Sequence, residues 1–268
     1  LAFIQSRSAR LYYQLDGETA PAPPVVLLHG LGSCADDWPL QRGALEGRWP
    51  VLALDLRGHG RSTPARRPFS VGDMAADVAG VLDHLGCQPA HLVGLSLGAV
   101  VGLELALGRP DRVRSLTMTN GFAHLAIPPE GLASAAGRLL LYFTGRMDWL
   151  GRWIAKALFP RPDQEFLRRQ AADRIAADDW LSYGLTMWAL RKYDARPRLD
   201  GVTTPTLVIA GEQDPVVPRS AKEQLRASIA GARLVTIPGS GHASPLDAPQ
   251  EFNRILVQFL ESVDAGDE

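Results

Sequence analysis

Cysteine is nearly missing from this 268-residue chain: Cys34 and Cys87 are the only two. Two thiols cannot build the disulfide framework of a small secreted fold, so a reducing compartment is expected. An excess of one charge is missing too. The formal net charge is −1, and no Lys/Arg cluster marks a nucleic-acid partner. Long hydrophobic runs are also lacking. The longest, residues 92–103, is cut by Glu104 before it reaches membrane-spanning length. Residues 1–7 have neither the basic segment nor the apolar core of a signal peptide. There is no internal repeat and no low-complexity tract. These absences lead to an expectation of a cytoplasmic protein with no membrane span, no nucleic-acid partner, no cofactor and no metal. Residues 264–268 are expected to form a disordered tail.

The composition is that of an ordinary globular chain, 46% hydrophobic and 21% charged. Its length suits one large α/β domain, or a core with an insertion. Val25-Val26-Leu27-Leu28 is apolar throughout, as in a strand buried on both faces of a parallel sheet. The same reading gives strands at 2–7, 10–15, 51–54, 91–94, 113–119, 205–210 and 233–237. Helices are expected over 36–45, 71–85, 97–108, 219–229 and 249–263. Alternation of this kind predicts an α/β fold, a mostly parallel central sheet flanked by helices with right-handed crossovers.

The rhythm stops between residues 122 and 199. That stretch reads as three or four helices broken at Pro128-Pro129, at 159–162 and at Pro197. The expected organisation is a core of residues 1–121 and 200–268, with an all-helical cap of residues 122–199 inserted after the sixth strand. The insertion holds more than half of the chain's aromatic residues, which suggests a lid with an apolar underside. Phe122, Phe143, Trp149, Trp153 and Trp188 are the candidates for lining a substrate pocket; the rival reading has such residues packing the insertion onto the sheet. Arg138, Arg146, Arg152, Arg168 and Arg169 offer a hold for a substrate carboxylate, or simply a wet helix face.

Residues that carry chemistry cluster where strands end. Gly94-Leu95-Ser96-Leu97-Gly98 lies between an apolar strand and an apolar helix, the setting of a nucleophile elbow, and small residues either side let the backbone close around Ser96. A serine hydroxyl needs a base. His242, between Gly241 and Ala243 after the last strand, is the candidate. His29 and His59 precede glycines in loops and are expected to bond locally; His84, His91 and His124 have structural explanations. The carboxylate that orients the imidazole is read as Asp214, followed by Pro215 at a strand end. Glu212 is its nearest rival, and Asp247 is read as beginning the final helix. An oxyanion hole needs two N–H donors. Leu97, at the start of a helix, is one; Leu31, between Gly30 and Gly32, is the other, with Cys34 its rival. As a nucleophile Cys34 is outweighed by the reading of a small buried thiol.

His29-Gly30-Leu31-Gly32, Asp55-Leu56-Arg57-Gly58-His59-Gly60-Arg61-Ser62, Gly94-Leu95-Ser96-Leu97-Gly98, Gly211-Glu212-Gln213-Asp214 and Gly241-His242 together resemble the α/β-hydrolase superfamily over the whole chain apart from the lid. Ala99 stands where the family often has a second glycine. The resemblance implies structural roles for Asp55 and residues 57–62. The alternative for Asp55 and residues 57–62 is a place near the pocket mouth, and neither reading makes them catalytic. The resemblance also implies a carboxylic ester hydrolase with a Ser96–Asp214–His242 triad, acting on a small-molecule ester or lactone. Serine in the elbow argues against relatives that use aspartate there. Enol-lactonase of aromatic catabolism, thioesterase or acyltransferase, and C–C hydrolase activities stay open, as does a ligand receptor that keeps the triad.

Overall fold

The computed structural model describes residues 2–6, 9–17, 22–125, 137, 140 and 142–266. Eight strands form one sheet in the order β1-β2-β4-β3-β5-β6-β7-β8. They are β1 (Ala2–Ser6), β2 (Ala9–Asp16), β3 (Val25–Leu28), β4 (Val51–Leu54), β5 (Ala90–Leu95), β6 (Val113–Thr119), β7 (Thr206–Gly211) and β8 (Arg233–Ile237). The hairpin β1–β2 joins β4 antiparallel, and all later pairings are parallel. Leu28 pairs with Gly94, Leu95 with Thr119, and Gly211 with Ile237. This register brings the loops that follow β3, β5, β6, β7 and β8 to one edge of the sheet.

Side chains of a strand alternate between faces, and both faces here are covered. Val26, Leu28, Leu52, Leu54, Leu92 and Leu116 pack against helices α2 (Val71–Leu85) and α3 (Leu97–Gly108). Val25, Leu27, Val51, Ala53, Val93 and Ile209 pack on the other face with Phe252, Leu256 and Phe259 of α9 (Pro249–Ala265). The expected helix over 36–45 is two pieces, a 3-10 turn at Ala35–Asp37 and α1 (Pro39–Leu45). Pro39 starts the second piece because it cannot donate back into the first. Asp264 is no tail residue: it lies in α9 and accepts from Trp49 Nε1 at 2.9 Å.

Within the insertion the described helices are α4 (Met147–Leu158), α5 (Glu165–Ala177) and α6 (Trp180–Lys192). Pro128-Pro129 lies outside the described residues. An isolated antiparallel bridge between His124 and Asp194 joins the two ends of the insertion. The core resumes through α7 (Arg219–Ser228) and the four-residue helix α8 (Ser244–Asp247). Among the described residues no helix is long and apolar enough to cross a membrane.

Candidate active site

Ser96 links β5 to α3 with φ 51 and ψ −108, a left-handed conformation that costs a side-chain-bearing residue energy. Its N–H donates to Thr119 O at 2.9 Å and its carbonyl accepts from Val100 at 3.1 Å. Serine just before a helix ordinarily caps it, but the Ser96 side chain makes no cap bond to α3. The turn therefore spends the backbone on rigidity and leaves the hydroxyl for other use. Its neighbours explain the two glycines. A side chain at Gly94 would run into the backbone of Gly98 and Ala99, and one at Gly98 into the carbonyl of Leu28.

Asp214 and His242 arrive from the loops after β7 and β8. The imidazole Nδ1 donates to Asp214 Oδ1 at 2.9 Å. That oxygen also accepts from the N–H groups of Val216 at 2.8 Å and Val217 at 3.2 Å. Oδ2 accepts from Lys222 Nζ at 2.6 Å. Burial alone would raise the Asp214 carboxyl, but the nearby His242 and Lys222 outweigh it and hold it down at about 2. An ionised carboxylate only accepts. The proton between the two therefore rests on Nδ1, and in a neutral ring Nε2 is the acceptor. Among the described residues no hydrogen bond joins the Ser96 hydroxyl to His242; nucleophile–base contacts are often longer before substrate binds.

The loop after β3 lies beside this turn. A Cβ on Gly30 would sit 3.7 Å from Leu95. Gly32 takes φ 77, and a side chain there would meet Ile175 and Tyr183 of the insertion. Among the described residues neither the Leu31 N–H nor the Leu97 N–H has a hydrogen-bond partner. Cys34 is buried, and burial pushes its thiol up to about 12, which removes it from nucleophilic chemistry at neutral pH.

The rival residues have structural partners. Glu212 accepts from Gly239 N at 2.9 Å. Asp55 accepts from the N–H groups of Ala35 at 2.6 Å and Arg61 at 2.7 Å. His29 Nδ1 donates to Gly30 O at 2.7 Å while its Nε2 accepts from Leu56 N at 3.0 Å. Asp247 corrects the expectation made of it. It ends α8 rather than beginning α9, and its carboxylate accepts from Gly241 N at 2.7 Å and Ser240 Oγ at 2.6 Å. Asp247 thus holds the loop that carries His242.

Asn120 escapes sequence reasoning altogether. It follows β6 at φ 47 and is fully buried. Its amide nitrogen donates to His242 O at 2.7 Å and Gly241 O at 3.2 Å, and its oxygen accepts from Gly211 N at 2.8 Å. The signal available was local: an Asn-Gly pair directly after an apolar strand marks a positive-φ turn. Lys222 is a second residue whose role is not visible in the sequence. It stands at i, i+3 and i+7 with Leu225 and Ile229, a charge placed on an apolar stripe.

The aromatic candidates separate by exposure. Phe122 is 3% exposed and belongs to the core. Phe143, Trp149, Trp153 and Trp188 are exposed. Arg146 and Arg152 lie over the Trp149 ring, and Lys192 over Trp188. Arg146 and Arg152 both pair with Asp148, Arg169 pairs with Glu165, and Arg168 donates to Phe159 O and Arg161 O. Arg138 lies outside the described residues.

Comparison with known proteins adds four findings. Residues 25–255 match the sequence model of the alpha/beta hydrolase family. A protein of Azorhizobium caulinodans named "Putative carbamate hydrolase RutD" is 32% identical over 280 residues, spanning 98% of this chain and 100% of its own. Among solved structures, the enol-lactonase from Burkholderia xenovorans LB400 is 29% identical with a TM-score of 0.90, over 97% of this chain and 100% of that one. A hydrolase from Pseudomonas aeruginosa PA01 is 33% identical with a TM-score of 0.85, over 97% of both chains.

Proposed function

The chain belongs to the α/β-hydrolase family, and on that premise we propose that it is a serine hydrolase cleaving a small carboxylic ester or lactone through an acyl-enzyme on Ser96. The observation that carries this reading is the His242 Nδ1–Asp214 Oδ1 bond on the same sheet edge as the Ser96 turn. In this mechanism Nε2 of His242 takes the hydroxyl proton as Ser96 Oγ attacks the carbonyl carbon. The oxyanion is received by the N–H groups of Leu31 and Leu97, both without other partners among the described residues. The imidazolium then gives its proton to the leaving oxygen, and water, activated by His242, releases the acid. Residues 122–199 serve as the cap over this edge, a role supported by the packing of Ile175 and Tyr183 on Gly32.

A second reading has its own support. The similarity to a named carbamate hydrolase runs the full length of both chains, and the same steps on a carbamate would give a carbamoyl-enzyme. A panel of p-nitrophenyl esters, lactones, thioesters and carbamates separates the two. Ser96→Ala is expected to lower turnover of the best substrate by about 10⁴-fold. An organophosphonate should add once, on Ser96, by mass spectrometry. Adduct on Cys34, or ligand binding with no turnover above background, would sink the reading. Preferential transfer to an alcohol would replace hydrolysis by acyl transfer.

A further inference from the structure

Lysine is rare in this chain: Lys156, Lys192 and Lys222 are the only three among 28 Lys and Arg residues. One of the three, Lys222, is 1% exposed. A buried ammonium persists only where it is paired. Lys222 Nζ donates to Asp214 Oδ2 at 2.6 Å and to Val217 O at 3.0 Å. The other oxygen of the same carboxylate holds His242. Catalysis needs only an imidazole and a carboxylate at this place; the ammonium is an addition.

We propose that Lys222 is a positioning residue of the Asp214–His242 pair, fixing the carboxylate so that Oδ1 faces the imidazole and offsetting its charge so that His242 stays a free base at lower pH. The inference rests on the reading of His242 as the base for Ser96. A lone carboxylate beside an imidazole favours the imidazolium; a cation on the far oxygen opposes that. The other charged groups around the loop are engaged elsewhere. Asp247 is held by Gly241 N and Ser240 Oγ, Glu212 by Gly239 N, and Arg161 Nη1 donates to Gly239 O at 2.8 Å. Among the described residues Lys222 is the lysine or arginine that touches Asp214.

The test compares wild type, Lys222→Gln and Lys222→Arg in two readouts. One is the pH profile of kcat/KM on the best ester. The other is an NMR titration of the His242 ring, which needs no turnover. Lys222→Gln should move both the acid limb and the ring midpoint up by about one pH unit, and Lys222→Arg should restore them. A folded Lys222→Gln protein with an unmoved midpoint overturns the proposal, as does a loss of turnover uniform across pH. If the Gln variant does not fold, wild-type protein labelled at lysine Cε decides. The Lys222 signal must report a charged amine at the pH of half-maximal kcat/KM, and a neutral one overturns the proposal. If wild type hydrolyses nothing while the ring midpoint still moves in Lys222→Gln, the proposed reaction fails and the charge pairing stands.

Discussion

One buried amide joins the strand ends that carry Asp214 and His242. Asn120 reaches Gly211, Gly241 and His242 at once, so its loss would leave the Gly211 N–H and the His242 carbonyl without this partner in the interior, while Gly241 O keeps the Ser244 hydroxyl. Asn120→Ala is expected to lower unfolding stability by about 3 kcal/mol. It should also reduce kcat by one to two orders of magnitude, since the imidazole loop loses its anchor. Urea titration and steady-state kinetics on the same preparation check both, and a variant with wild-type kcat would show that Asp247 alone holds the loop. At this scale the chain is legible where chemistry is local. Asp214 sits beside Pro215 and His242 beside Gly241, and Ser96 lies two positions from Gly94 and from Gly98, each after a strand; turn chemistry of this kind acts over a few residues. Asn120 and Lys222 act through atoms of distant segments, and no short window of sequence contains their partners.

The strand–turn–helix unit β5–α3 is the element on which the proposed chemistry depends. α3 is buried nearly all round, with Val100, Val101, Leu103 and Leu105 all shielded, so its amphipathicity carries no information about which way it faces. Its position is set by backbone approach: Gly98 lies against the Leu28 carbonyl of β3. Gly98→Ala would push a methyl group into that carbonyl, and either α3 or β3 must shift. The expected cost is about 3 kcal/mol or more, seen as a lower urea midpoint and lower turnover, because the N–H of Leu97 moves with the helix. Unchanged stability would mean that the helix lies further from β3 than described. The α2 boundaries are clear in sequence because Ser70 caps the first turn and Gly86, at φ 65, ends the last. The break at Trp38 is hidden in the sequence because one apolar pattern runs across two short helical pieces.

At the level of the molecule, acid stability follows from two histidines buried behind the site. Burial pushes His29 down to about 4 and His59 down to about 3, and their ring centroids lie 5.1 Å apart. The unfolded chain takes up protons on these rings near pH 6.5, while the folded protein refuses them. The unfolded state therefore binds more protons through this window, and stability falls as pH drops from about 6.5 towards 4. Urea unfolding at pH 7 and pH 4.5 should differ by a few kcal/mol. An unchanged midpoint would show that the rings are open to solvent. The sequence by itself determined the alternation of strands and helices, the Ser96 turn and the order of serine, acid and histidine, because periodicity and turn chemistry are properties of adjacent residues. Tertiary structure decided which groups surround the Asp214–His242 pair, where the insertion rests, and which of its aromatics face the core. Those outcomes depend on the register of the sheet and on hydrogen bonds between loops far apart in the chain, which exist only once the strand ends have met.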